Sequence, residues 1–167
     1  MKDRPNSRCA FTMIELLLVV AITSVLLAAV ALAFNAQAFN LRQNEQMLKT
    51  LNQARQAMLR LTTQLRTADF VDPNAASGSC RLITADGEDL TYSYNAGDRK
   101  LYLTTNDDLS DPDYVLCDNV ASATFQKTTF LDGGQTKVKY VRITATVSLG
   151  DTQQTVHAAA AIRRNLN

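Results

Sequence analysis

Along the first half of the chain the spacing of apolar residues changes character without losing its helical period. From Leu16 to Phe34 nineteen residues run without a charge, and their only polar side chains are Thr23 and Ser24. That is close to the roughly 20 residues a helix needs to cross a hydrocarbon core of about 30 Å, so the run predicts a spanning helix. Past Phe34, Met47, Leu51, Ala54, Met58, Leu61, Leu65 and Ala68 recur at alternating steps of four and three. They form one apolar seam. Against it stand Arg42, Lys49, Arg55, Arg60 and Arg66 with only Glu45 to oppose them, the pattern of a solvated face. Neither Gly nor Pro occurs between Phe11 and Asp72, so nothing predicts a kink. A single helix from Phe11 to about Ala68 would measure roughly 87 Å at 1.5 Å per residue. Its seam would serve a coiled coil or cover a sheet, and the β-rich sequence downstream favours the sheet.

Asp69-Phe70-Val71-Asp72-Pro73 is expected to end the helix, because the residue before a proline avoids the α region and the ring blocks continuation. Asn74 to Ser79 reads as a loop. The period then becomes two. Leu90 to Tyr94 and Lys100 to Thr104 alternate around an Asn95-Ala96-Gly97-Asp98 turn, which predicts a hairpin. Val141, Ile143, Ala145, Val147 and Leu149 point one way, Arg142, Thr144, Thr146 and Ser148 the other, and Gly150-Asp151 turns the chain toward a strand from Thr155 to Ile162. Cys80 to Thr84 and Val120 to Gln126 are weaker strand signals. The fold class expected is α+β, a long N-terminal helix packed on a small antiparallel β-sheet domain near the lower end of domain size.

Charge orients the chain. Lys2, Arg4 and Arg8 against a lone Asp3 precede the apolar run, and the positive-inside tendency keeps that end in the cytoplasm. Within this frame Glu15 stands at the mouth of the spanning helix, where a carboxylate at the bilayer centre would cost roughly 2.5 to 3.5 kcal/mol. It needs a cationic partner or a route to the headgroup region. A secretory signal places its small-residue cleavage site after the apolar core, whereas here the small residue, Ala10, comes before it.

The stretch Ala10-Phe11-Thr12-Met13-Ile14-Glu15-Leu16 resembles the processing motif of type IV pilins and type II secretion pseudopilins. The resemblance implies a cut between Ala10 and Phe11, N-methylation of the new amine on Phe11, and Glu15 at the fifth mature position. In that family the residue before the cut is usually Gly, where this chain has Ala10. Many pilins carry a proline partway along the membrane helix, where this chain has Leu32. Cleavage would create an amine that sits near Glu15 of a neighbouring subunit in a staggered helical array, each charge neutralising the other in an apolar layer. Glu15 then acts in docking and register.

Candidate chemistry beyond the helix is sparse. Cys80 and Cys117 fall in the exported segment, where an oxidising periplasm would permit a bridge worth roughly 2 to 4 kcal/mol, or they remain two buried thiols. Cys9 leaves with the leader. The acidic run holding Asp107, Asp108, Asp111 and Asp113 is a weak calcium candidate, its spacing unlike an EF-hand loop, and a solvated turn is the simpler account. His157 falls on a strand out of phase with Val156 and Ala158, as a surface residue would. No catalytic triad context, phosphate loop or zinc spacing occurs, so the expectation is a protein without enzymatic activity or cofactor. Formal charge is +1, and from Asp69 onward thirteen Asp and Glu face nine Lys and Arg, which argues against nucleic acid as a partner.

The resulting expectation has residues 1–10 as a cleaved basic leader, 11–34 as a transmembrane or filament-core helix, 35–72 as an amphipathic helix, and 73–167 as the β domain. The resemblance implies a filament subunit that meets other pilin or pseudopilin subunits, a prepilin peptidase, an inner-membrane assembly platform and lipid. It would sit in the inner membrane as a single-pass protein with a periplasmic C-terminal domain, then join a filament. The longer β domain and the ending Ala161-Ile162-Arg163-Arg164-Asn165-Leu166 resemble J-type minor pseudopilins. An unprocessed single-pass anchor carrying a periplasmic binding domain is the competing reading, and an adhesin or DNA-uptake subunit on a pilus is a third.

Overall fold

The computed structural model describes residues 12–108 and 110–165. Two compact units divide at Gln43 and Asn44. One helix, α1 (Met13–Thr67), belongs to both: its apolar run forms the first unit and its seam enters the second. Eight strands follow: β1 (Phe70–Val71), β2 (Ser79–Ile83), β3 (Asp89–Asn95), β4 (Lys100–Thr105), β5 (Tyr114–Cys117), β6 (Val120–Asp132), β7 (Gln135–Leu149) and β8 (Thr152–Ala161). The architecture is α+β, as the period change implied.

The expected antiparallel β part is built of two sheets, a division the sequence did not specify. The first has the order β1-β2-β3-β4-β5 and the second β6-β7-β8. Both are meanders in which every strand pairs with its sequence neighbour, the local connection that short turns favour. The Val120 strand is longer than expected because Gly133 and Gly134, both at positive φ, close a two-residue hairpin from β6 into β7. Such turns need φ > 0 at both central positions, which glycine supplies without strain.

The helix stops at Thr67, within a residue of the end near Ala68 that the sequence implied. Proline is not what ends it. The Asp69 N–H donates to the Ile83 carbonyl at 2.9 Å, Asp72 N–H to Arg81 at 3.0 Å, and Phe70 and Val71 pair with Ile83 and Leu82. Sheet pairing thus captures the backbone before Pro73 can act.

One core joins the helical seam to the inner faces of both sheets. Met47, Ala54, Met58, Leu61, Leu65 and Ala68 are buried, along with Thr50, Ala57 and Thr62. From the first sheet Cys80, Tyr92 and Leu103 lie in one cross-strand row, and from the second Phe125 and Ile143 do the same. The helix-on-sheet alternative therefore holds. Buried polar groups are matched: the Thr62 hydroxyl donates to Leu59 O at 3.0 Å, and the Tyr92 hydroxyl donates to Gln64 Oε1. Burial raises the Tyr92 phenol to about 12, with Arg60 opposing.

The two sheets are tied by named bonds. Tyr94 donates its hydroxyl to Ala121 O at 2.7 Å, and Val120 N–H donates to Arg99 O at 2.8 Å. Arg99 sits at φ 59 in the left-handed region and donates its guanidinium to Ser148. These bonds hold a conformation that costs a non-glycine residue about 1 kcal/mol. Lys127, in register with Val141 on the inner face, sends its ammonium to the carbonyls of Ala75 at 2.7 Å and Ser79 at 3.0 Å. Desolvation lowers its pKa, and the carbonyls compensate by solvating the charge.

Candidate functional site

The candidate site is the start of α1. Thr12 caps it: its hydroxyl accepts the Glu15 N–H at 3.3 Å, and its carbonyl accepts Glu15 N–H at 3.1 Å and Leu16 N–H at 3.2 Å. Thr-x-x-Glu is the sequence of a capping box, and the contact observed is its Thr-to-N3 half. Glu15 therefore stands in the first turn, where the partial positive charge of the helix end favours an anion. The Thr three residues before Glu15 was a legible signal that the reading of charges passed over.

Beyond Glu15 the helix offers no polar group that needs a partner. Thr23 donates its hydroxyl to Val19 O at 2.8 Å and Val20 O at 3.0 Å, and Ser24 donates to Ala21 O at 2.8 Å. The backbone of the same turn satisfies both, which is what a lipid environment demands. From Thr12 to Gln46 every side chain is exposed, including Leu17, Val25, Leu27 and Leu32. Among the described residues α1 is long and apolar enough to cross a membrane. Its run from Leu16 to Phe34, apolar on all sides, is a candidate membrane anchor.

Ala10 and Phe11, the expected cleavage pair, lie outside the described residues. The cysteines are described, and the bridge expected between them is not formed. Both Cys80 and Cys117 are free and buried. They sit on β2 and β5 with β3 and β4 between them, a separation of about 14 Å at the usual strand spacing. A disulfide needs Cα atoms within about 7 Å. Sequence spacing carried no distance, and the meander decided it. Burial pushes each thiol up to about 11. Cys117 instead donates to Thr50 O on the helix at 3.7 Å.

The four acidic residues of the calcium candidate are spread over separate partners. Asp107 accepts the Asp89 N–H at 2.7 Å, Asp113 accepts the Thr104 hydroxyl at 2.6 Å, Asp111 accepts the Tyr114 hydroxyl at 3.4 Å, and Asp108 accepts the Ser110 N–H and hydroxyl. Those Ser110 bonds hold the Asp108 carboxyl below its ordinary range. Among the described residues no three His, Cys, Asp or Glu side chains converge as metal ligands. His157 is exposed on β8, its Nδ1 3.2 Å from the Thr144 hydroxyl.

With that geometry in place, the N-terminal segment is type IV pilin-like: the prokaryotic N-terminal methylation motif matches residues 5–31. The matched stretch takes in Arg8, Glu15 and most of the apolar run, and it indicates a structural subunit that assembles with others of its kind. No curated protein and no solved structure matches the chain.

Proposed function

We propose that this chain is a minor subunit of a type IV pilus or type II secretion filament. A prepilin peptidase cuts between Ala10 and Phe11, and Phe11 is N-methylated. The inner membrane holds the chain through the Leu16 to Phe34 helix with its β unit in the periplasm, and an inner-membrane platform draws it into the filament. The observation that carries this reading is a methylation motif running directly into a helix whose apolar side chains are exposed all round.

The role of Glu15 follows from the cost of charge in an apolar layer. Its capped first turn supplies part of the compensation, and the amine created on Phe11 of a neighbouring subunit supplies the rest. Before cleavage that cation does not exist at Phe11. Processing thereby switches on the charge that seats the next helix.

Mass spectrometry of the mature amino terminus tests the reading. A chain that begins with N-methylated Phe11 is expected, and one that still begins at Met1 overturns it.

A further inference from the structure

We propose that the outer edge of β8 is a strand-addition site, taking one extended strand from a non-identical subunit of the same filament; this rests on the filament reading above. A sheet edge presents unpaired N–H and C=O groups that template another strand unless the fold protects them. The four edges of the two sheets differ sharply in that protection.

The first sheet ends on β1, two residues long and flanked by Asp69, Asp72 and Pro73, and on β5, four residues long with a register shift against β4 and Pro112 close before it. Short strands, charges, bulges and prolines are the usual means of blunting an edge. The free side of β6 is bonded in its first half by turns flanking the first sheet's strands, Phe125 N–H donating to Ser77 O at 2.7 Å and Val120 N–H to Arg99 O at 2.8 Å, and its second half carries a register shift between Thr128 and Thr129. β8 has none of these devices. Its ten residues, TQQTVHAAAA, hold no charge and no proline, and they pair with β7 in unbroken register.

The direction of its backbone groups is set by two bonds. Ile162 N–H donates to Lys139 O at 3.1 Å, so even-numbered residues turn their groups toward β7. Phe125 N–H points away from β7, and the alternation carried through Ile143 to Ala158 agrees. The N–H and C=O groups of Gln153, Thr155, His157, Ala159 and Ala161 therefore face outward. On the core side Val156 and Ala158 are only half-buried, although their row continues the core. An added strand would cover them.

Symmetry identifies the donor. In a polar filament, identical copies meet through two different patches, because rotation and translation along the axis relate one to the next. A second copy would have to offer one of its other three edges, and each is blunted. A two-fold pair of β8 strands closes on itself and does not propagate. The strand thus comes from a different chain, uncharged, with small or β-branched apolar residues at alternate positions to meet Val156 and Ala158.

The test uses the full chain in cells that assemble the filament, with a photo-crosslinking benzoylphenylalanine at Gln153. The expected adduct joins it to a different chain that itself carries an N-terminal methylation motif, with a yield unchanged when salt is raised. Adding Ala159→Pro removes an outward N–H without touching the β7 ladder, and should cut the adduct about tenfold while the melting temperature holds. If that variant unfolds, Thr155→Lys, which places a charge on the edge, should do the same. An adduct between two copies, an adduct with a protein lacking the motif, no adduct, or an adduct that survives a folded edge variant each overturns the proposal. A chain that retains Met1 fails the filament reading; one that is processed and assembled without a β8 adduct fails this inference alone.

Discussion

The two halves of α1 share one secondary structure and obey opposite rules of burial. Between Thr12 and Gln46 apolar side chains are exposed on every side, whereas from Met47 onward a narrow seam is buried and the basic face is not. Helical propensity does not tell the halves apart, since both lack Gly and Pro and both are rich in Leu. The difference lies in what each half has for solvent. The second half supplies its own, in the form of two sheets. The first half carries, from Leu16 to Phe34, an apolar surface that the β unit does not cover, and Glu15 stands at the start of that run.

Breaking the charge at that start should have the largest effect. Glu15→Ala leaves an amine unpaired in an apolar layer, so incorporation into filaments should fall by about 3 kcal/mol or more, on the order of a hundredfold. Membrane insertion and the melting temperature of the β unit should not change. Quantifying subunit in the sheared filament fraction against subunit in the membrane checks this, and normal incorporation removes the pairing account.

Within the second half the comparison sharpens to a pair of leucines. Leu65 is 0% exposed and Leu59 is 69% exposed. Leu65→Ala should cost about 2–5 kcal/mol, from lost transfer energy and a residual cavity, while Leu59→Ala should stay within about 0.5 kcal/mol. Urea unfolding of the two variants measures the contrast, and equal losses would mean that the seam is not the packed face.

The buried thiols give an effect confined to alkaline pH and absent at neutrality. Burial raises Cys80 and Cys117 from their ordinary 9.0 to about 11, so between those values the folded chain keeps protons that the unfolded chain releases. Their contribution is complete below pH 9 and is lost as pH rises toward 11, at up to about 1.4 kcal/mol per pH unit for each thiol. A Cys80→Ala, Cys117→Ala double variant should lose that alkaline slope. Because no bridge joins them, reductant should leave the melting temperature unchanged, and unfolding without reductant should expose both thiols to alkylation.

The smallest effect belongs to the apolar half. Thr23→Val and Ser24→Ala remove hydroxyls that already bond to their own turn, so insertion free energy should shift by less than about 1 kcal/mol. A larger shift in a membrane-insertion assay would mean that these side chains reach another partner.

Much of this molecule was legible in the order of its residues. The apolar run, the seam from Met47 to Ala68, the Leu90–Thr104 hairpin and the alternation of β7 are local periodicities, and each appears where its period placed it. Glu15 stood out because one charge beside nineteen uncharged residues needs no tertiary context to be noticed. What escaped was settled at a distance. Phe70 and Val71 pair with β2 where only a helix end was expected, Lys127 turns inward to carbonyls 48 to 52 residues away, and Cys80 and Cys117 are kept apart by two intervening strands. The sequence by itself determined the long helix and the other six strands, since backbone sterics and side-chain period act over a few residues, but it did not mark β1 or β5. Only the tertiary structure decided the division into two sheets and which strand edge was left open, because hydrogen-bond partners far apart in the chain are chosen by packing.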